Sequence, residues 1–182
     1  MRLGLISDTH IPEAGPQLPE QIWRVFENVD LILHAGDMHI IGVLDWLEEI
    51  APVVAVRGNG DAADPWNKNR PGVPDDPRVH GTTILDYEGF SLGLAHAFPT
   101  IDEAPWSTHE STMTRLFDQQ VDVVVCGDTH VERIYQDGSL FLVNPGSPTL
   151  PHNLTDRLGT VGILELNRGF PPSAEIIDLG SP

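Results

Sequence analysis

The chain is poor in positive charge. It has 10 Lys and Arg against 27 Asp and Glu, a formal net charge of −17 over 182 residues. Binding to a phosphate backbone or an anionic bilayer needs basic residues, so duplex nucleic acid and membrane surfaces are excluded as expected partners. Cysteine occurs once, as Cys126. It can form no internal disulfide, and its place in the apolar run 121–126 marks a buried structural thiol. No apolar run approaches the roughly 20 residues of a membrane-spanning helix. Met1-Arg2 leads straight into an apolar strand with no signal peptide before it, so a cytoplasmic location is expected. Internal repeats, low-complexity tracts and linkers are also missing, which predicts a single domain over residues 1–182.

What is present is a globular composition, 40% hydrophobic and 20% charged, in a chain long enough to bury a core. The first half alternates strand and helix. Strands are predicted near 2–6, 30–34 and 52–56. Between them lie helices starting at Pro19-Glu20, with Ile22, Trp23, Val25, Phe26 and Val29 on one face, and over 40–50. That order implies right-handed crossovers and a parallel sheet. A proline-rich loop, 61–78, follows, and long loops in compact domains are often functional. Further predictions are a hairpin of strands 79–86 and 89–96, an irregular loop 97–107 and a helix over 108–119. A strand at 121–126, a hairpin of 131–136 with 139–143, and strands at 159–167 and 173–179 complete the chain.

Five apolar strands end in polar residues: Asp8 and His10; Asp37; Asn59; His96; Asp128 and His130. An acid and a His two apart on extended chain point the same way, so Asp8 and His10 can reach one ion. A lone Asp-x-His is equally a turn aspartate beside a surface His. Five such strand ends instead suggest one convergent site, because open α/β sheets build sites beyond the carboxyl ends of their strands. The donors are carboxylate, amide and imidazole without thiolate, which favours Mn, Fe, Ni or Zn in a reactive site over structural zinc.

The ordered set Asp8-x-His10, Gly36-Asp37, Gly58-Asn59, His96, Gly127-Asp128-Thr129-His130 and Asn144-Pro145-Gly146-Ser147 resembles the calcineurin-like metallophosphoesterase superfamily. Within it, the chain is similar to the small single-domain YfcE-type phosphodiesterases. The resemblance implies an α/β fold, a four-layer α-β-β-α sandwich of two mixed sheets flanked by helices. It also implies two divalent ions, Mn first, with Fe, Ni or Zn as alternatives. One ion would take Asp8, His10 and His130, the other Asn59, His96 and Asp128, with Asp37 bridging. The implied function is hydrolysis of small phosphodiesters by attack of a metal-bridging hydroxide. A phosphomonoesterase is the alternative enzyme, and a non-catalytic scaffold like the retromer subunit of the same fold is the alternative from another class.

Two positions depart from the family pattern. Asp128 stands where relatives carry the first His of Gly-His-x-His. With Asp8 and Asp37 it makes three carboxylates, which leave the centre formally neutral once two divalent ions and a hydroxide are counted. A less Lewis-acidic centre that prefers harder ions is expected. Gly60 stands where many relatives carry a His that protonates the leaving group. Asp61, His109 and His152 are the candidate replacements, and Asp61 is equally a loop-capping acid. His34 is expected to support the site without ligating, His39 and His80 to lie at the surface, and Asn144 to shape a turn beside His130. Trp66, Arg70 and Trp106 fall in the irregular loops, where they either stack on a substrate or pack beneath the loop. Arg157 is a candidate phosphate contact.

Overall fold

The computed structural model describes residues 1–100 and 102–180. Residue 101, within the second irregular loop, lies outside them. The first half builds β1 (Arg2–Ile6), α1 (Gln21–Val25), β2 (Leu31–His34), α2 (Gly42–Glu48), β3 (Val53–Val56) and β4 (Val79–His80). Then come β5 (Thr83–Tyr87), β6 (Phe90–Leu94), α3 (His109–Phe117), β7 (Val123–Val125), β8 (Arg133–Asp137), β9 (Leu140–Asn144), β10 (Thr160–Glu165) and β11 (Ser173–Asp178). One sheet runs β11-β10-β1-β2-β3-β4 and the other β5-β6-β7-β9-β8. Both are mixed: β1, β2, β3 and β4 pair in parallel, as do β6, β7 and β9, while β10, β11, β5 and β8 join antiparallel.

Alternation within the continuous apolar strands sorts them into layers. Leu3 and Leu5 of β1, Leu31 and Leu33 of β2, Val123 and Val125 of β7, and Phe141 and Val143 of β9 share one cluster between the sheets. Ile6 and Ile32 turn the other way, onto Ile22 and Phe26 of the α1 segment and Val43, Leu44 and Leu47 of α2. Val124 and Leu142 turn outward onto Met113 and Phe117 of α3. The result is the expected helix–sheet–sheet–helix stack. Gly4 permits the first layer contact, because a Cβ there would lie 3.1 Å from the Phe26 ring. Leu33, fully buried, sits in the middle layer, and truncating it to Ala would cost ~2–5 kcal/mol.

Two sequence expectations change. The strand expected over 79–86 is two strands in different sheets: the chain leaves β4 at His80 and enters β5 at Thr83. Gly81, with open space around it, carries the crossing. The helices are also shorter than their apolar periodicity. After Val25, α1 tightens into a turn closed by Val29 N–H donating to Phe26 O at 3.1 Å. α3 has firmer ends. The Thr108 hydroxyl caps Ser111 N–H, and Asp118 terminates it in the left-handed conformation. No helix among the described residues is long and apolar enough to cross a membrane.

Candidate metal centre

The carboxyl ends of the parallel strands of both sheets meet along one edge, and the polar residues expected there converge. Their backbone is not extended. Asp8 (φ 53°), His10 (φ 47°), Asp37 (φ 57°), Asp128 (φ 73°) and His130 (φ 58°) are all left-handed. Asp and His tolerate this region better than bulkier side chains, but five such residues in one site is stored backbone strain. Asp8 and His10 therefore point together because both sit in left-handed turns, not because the chain is extended.

Neighbouring segments hold these turns. Asp8 N–H donates to Gly36 O at 2.9 Å and His10 N–H to Asp37 O at 3.0 Å, tying the ends of β1 and β2 together. The Ser147 hydroxyl donates to Asp8 O at 2.7 Å and the Thr149 hydroxyl to Thr9 O at 2.8 Å. Asn144 Nδ2 donates to Gly127 O at 2.8 Å and to Thr129 Oγ1 at 3.1 Å, while its Oδ1 accepts from Gly146 N–H at 2.9 Å. The Asn-Pro-Gly-Ser stretch thus clamps both Asp-Thr-His turns. His34 supports the same region without facing it: Nδ1 accepts from Gly36 N–H at 3.1 Å, and Nε2 lies 3.2 Å from Thr9 Oγ1. Burial pushes the His34 imidazole down to about 3, so it is neutral.

Within the cluster, His10 Nε2 lies 3.1 Å from His130 Nε2, 3.6 Å from Asp37 Oδ2 and 4.0 Å from Asp8 Oδ1. His130 Nε2 is 3.7 Å from Asp8 Oδ1. On the other side, His96 Nε2 lies 3.0 Å from Asn59 Oδ1, 3.4 Å from Asp128 Oδ1 and 3.5 Å from Asp37 Oδ1. Asp8, His10 and His130 form one candidate ion-binding group, and Asp8, Asp37 and His96 another. His96 Nδ1 is fixed by Ala35 O at 2.7 Å and His130 Nδ1 by Leu150 O at 3.2 Å, which leaves each Nε2 free to ligate.

The donor set fits divalent cations on its own chemistry. Burial drives the Asp8 carboxyl up to about 7, against the pull of His96 and the Ser7 hydroxyl. Burial, with His39 and His130 nearby, drives the His10 imidazole down to about 3. Burial also opposes charge on His96, yet Asp128, Asp8 and Asp37 raise it to about 9. A cation among these groups holds the carboxylates ionised and takes the lone pairs of neutral imidazoles, which removes both penalties.

The other candidates separate. Asp61 is buried, and its oxygens accept three backbone N–H bonds: from Asp37 at 3.0 Å, Gly58 at 2.8 Å and His39 at 2.8 Å. Burial raises its carboxyl while these bonds lower it. Both oxygens thus accept backbone amides around the Asp37 turn, the geometry that the loop-capping alternative expects. His109 is buried under Phe98 and Tyr135 with Nδ1 on Asp137 Oδ2 at 2.7 Å, in the α3 layer. His152 is exposed. Its N–H donates to His130 O at 3.0 Å, and its ring pairs with Glu132 at 3.0 Å.

His39 is the main correction. Expected at the surface, it is fully buried, edge-on to His10 at 4.4 Å between ring centroids, with Glu13 Oε2 3.5 Å from Nδ1. Glu13 of the 11–19 connector lies against it, and Arg70 and Asn67 bind Glu13 at 2.9 and 3.3 Å to hold it there. Arg70 is therefore a loop tie. His80 and Arg157 are exposed, and Trp66 and Trp106 are 94% and 84% exposed rather than packed beneath their loops. Apart from the Pro-Gly-Ser motif, nothing in the sequence signals the Ser147 and Thr149 clamps.

A two-sheet α/β sandwich with a carboxylate–imidazole centre at its strand ends is the architecture of a metal-dependent hydrolase. The chain belongs to the calcineurin-like phosphoesterase superfamily, whose domain model matches residues 1–169. A probable metallophosphoesterase of Methanothermobacter thermautotrophicus is 36% identical over 182 residues, covering 100% of this chain and 95% of the relative. Among solved structures, Vps29 of Entamoeba histolytica complexed with Zn2+ superposes with a TM-score of 0.68 at 20% identity, covering 98% of this chain and 99% of that one. A novel archaeal phosphodiesterase superposes with a TM-score of 0.63 at 20% identity, covering 97% and 100%. At these identities the two structures bear on the fold alone.

Proposed function

We propose that the chain hydrolyses small phosphodiesters at a centre of two divalent ions. The observation that carries the two-ion reading is Asp37. Its Oδ2 faces His10 Nε2 and its Oδ1 faces His96 Nε2, at 3.6 and 3.5 Å, so one carboxylate lies between two sets of donors. Asp8, His10 and His130 would hold the first ion, and Asn59, His96 and Asp128 the second. Two bound divalent ions supply Lewis acidity to the phosphoryl group and acidify a water.

The chain's own residues position and shield. Gly60 N–H anchors Asp37 Oδ1 at 2.6 Å, and Ala35 O and Leu150 O fix the rings of His96 and His130. Asp128 adds a third carboxylate, which lowers the positive charge available to a substrate and favours a diester monoanion over a monoester dianion. Mn is the preferred ion on the same ground. The probable-metallophosphoesterase relative supports the phosphoesterase assignment, and the archaeal phosphodiesterase shares the fold. Of the three candidate donors to the leaving group, Asp61 is engaged by backbone amides and His109 lies in the α3 layer, which leaves His152. His152→Ala would then slow esters of poor leaving groups more than p-nitrophenyl esters.

The experiment is hydrolysis of bis-p-nitrophenyl phosphate and p-nitrophenyl phosphate after reloading with Mn, Fe, Ni or Zn. Faster diester turnover supports the proposal. Faster monoester turnover makes the chain a phosphomonoesterase, and no turnover of either with both sites filled leaves the scaffold alternative.

A further inference from the structure

Asp128 belongs to two places at once. Its Oδ1 lies 3.4 Å from His96 Nε2 in the metal centre, and its side chain, 44% exposed, also lines a neighbouring cavity of about 480 Å3. The apolar members of that cavity include Phe98, Pro99, Val131, Cys126 and Leu142. Phe98, Cys126 and Leu142 are buried, whereas Val131 is 42% exposed at the rim. The size is that of a site for a small organic group, and the lining rewards burial of apolar surface.

The charged members decide what can enter. Arg133, the basic residue of the lining, is already committed. It donates to Thr100 Oγ1 at 2.9 Å and to Asp102 Oδ2 at 3.2 Å, and its Cζ lies 4.9 Å from the Tyr135 ring centroid. Glu103 and Asp128 line the same space. A second phosphate or carboxylate would meet two acids and an already neutralised guanidinium. Next to Phe98 and Pro99, Glu103 Oε2 accepts from Thr100 N–H at 2.7 Å and from its hydroxyl at 3.2 Å, which occupies that carboxylate.

We propose that this cavity is the subsite for the organic group of the substrate, and that it selects an uncharged aromatic or bulky aliphatic ester over a small or anionic one. The inference rests on the phosphoesterase reading. It assigns a specificity role to Phe98 and Val131, which lie outside the metal ligands.

The test is equilibrium binding to metal-loaded protein, by calorimetry, of inorganic phosphate, methylphosphonate and phenylphosphonate, at a pH where both phosphonates are dianions. Phenylphosphonate should bind about tenfold tighter than methylphosphonate, from the extra apolar area buried. Val131→Trp, which fills the cavity from its exposed rim, should bring that ratio close to one. In the unaltered protein, the methyl NMR signals of Val131 and Leu142 should shift with phenylphosphonate and not with methylphosphonate. Phosphate binding with no phenyl preference, or with no shift at those methyls, overturns the subsite and leaves the phosphoesterase reading standing. No binding of any of the three anions with metal present overturns the subsite, and the phosphoesterase reading is then decided by the turnover of the two p-nitrophenyl esters.

Discussion

The backbone N–H of Asp128 donates to the Asp8 carboxylate, at 3.0 Å from Oδ2. The two residues open two copies of Asp-Thr-His that face each other across the sheets, and their closing members, His10 and His130, meet at 3.1 Å. Both copies use the same pair of left-handed residues. Their environments differ: the Asp8 side chain is fully buried and that of Asp128 is 44% exposed. The repeated tripeptide therefore supplies one sealed carboxylate and one that borders an open cavity.

That difference makes Asp128→His informative. The change removes a negative charge 3.4 Å from His96 Nε2, beside the proposed ion sites, and so makes a bound water more acidic. The acid limb of the pH–rate profile should move to lower pH, and metal preference should move from Mn towards Zn. Rate profiles recorded with each ion check this. Superimposable profiles and unchanged preference would remove Asp128 from the electrostatics of the centre.

Asp61→Asn separates a structural acid from a catalytic one. Three N–H groups converge on the carboxylate, and an amide would turn its own NH2 towards at least one of them. The cost should be ~1–3 kcal/mol, read from the midpoint of chemical denaturation. Unaltered stability together with a rate loss confined to poor leaving groups would restore Asp61 as the proton donor.

Restoring the family's His at position 60 should fail in this chain. A Cβ on Gly60 would lie 2.7 Å from His39 Nε2 and 3.0 Å from Asp37 Oδ2. His39 fills the space that the position-60 side chain would need. Gly60→His should lower the melting temperature, and adding His39→Gly should recover part of the loss. The double variant melting no higher than the single one would contradict this packing relationship.

Buried neutral His34 sets an acid dependence of stability in the metal-free protein. Its folded pKa, about 3, lies below the unfolded value near 6.5. The unfolded chain therefore takes up a proton that the folded chain refuses. Its contribution is complete above pH ~6.5 and is lost as pH falls towards about 3, by up to a few kcal/mol. Denaturation midpoints of the unaltered protein and His34→Gln should converge on acidification. Parallel curves would show that His34 is not held neutral.

The convergence of these polar residues was legible in the sequence because each follows an apolar strand, and strand ends are where a buried sheet must hand polar residues to solvent or to an ion. The four layers were legible for a related reason: runs such as Val121 to Cys126 need cover on both faces. What was not legible depends on contacts between distant segments. Nothing near His39 signals that Glu13, tied by Arg70, will lie against it. The break at Gly81 is hidden because Val79-His80 and Thr83 to Tyr87 both favour strands, and only docking tells the two sheets apart. Asp61 reads as a free acid until the Asp37, Gly58 and His39 amides are seen to converge on it.

Under the two-ion proposal, Asp37 stands between two ion sites. Calorimetric titration of Mn2+ into metal-stripped protein tests it most directly, with Asp37→Ala alongside. Two ions should bind per chain in the unaltered protein, and the single substitution should weaken both together, because each oxygen of that carboxylate would serve a different site. One ion per chain, or two ions of which Asp37→Ala weakens only one, would contradict it.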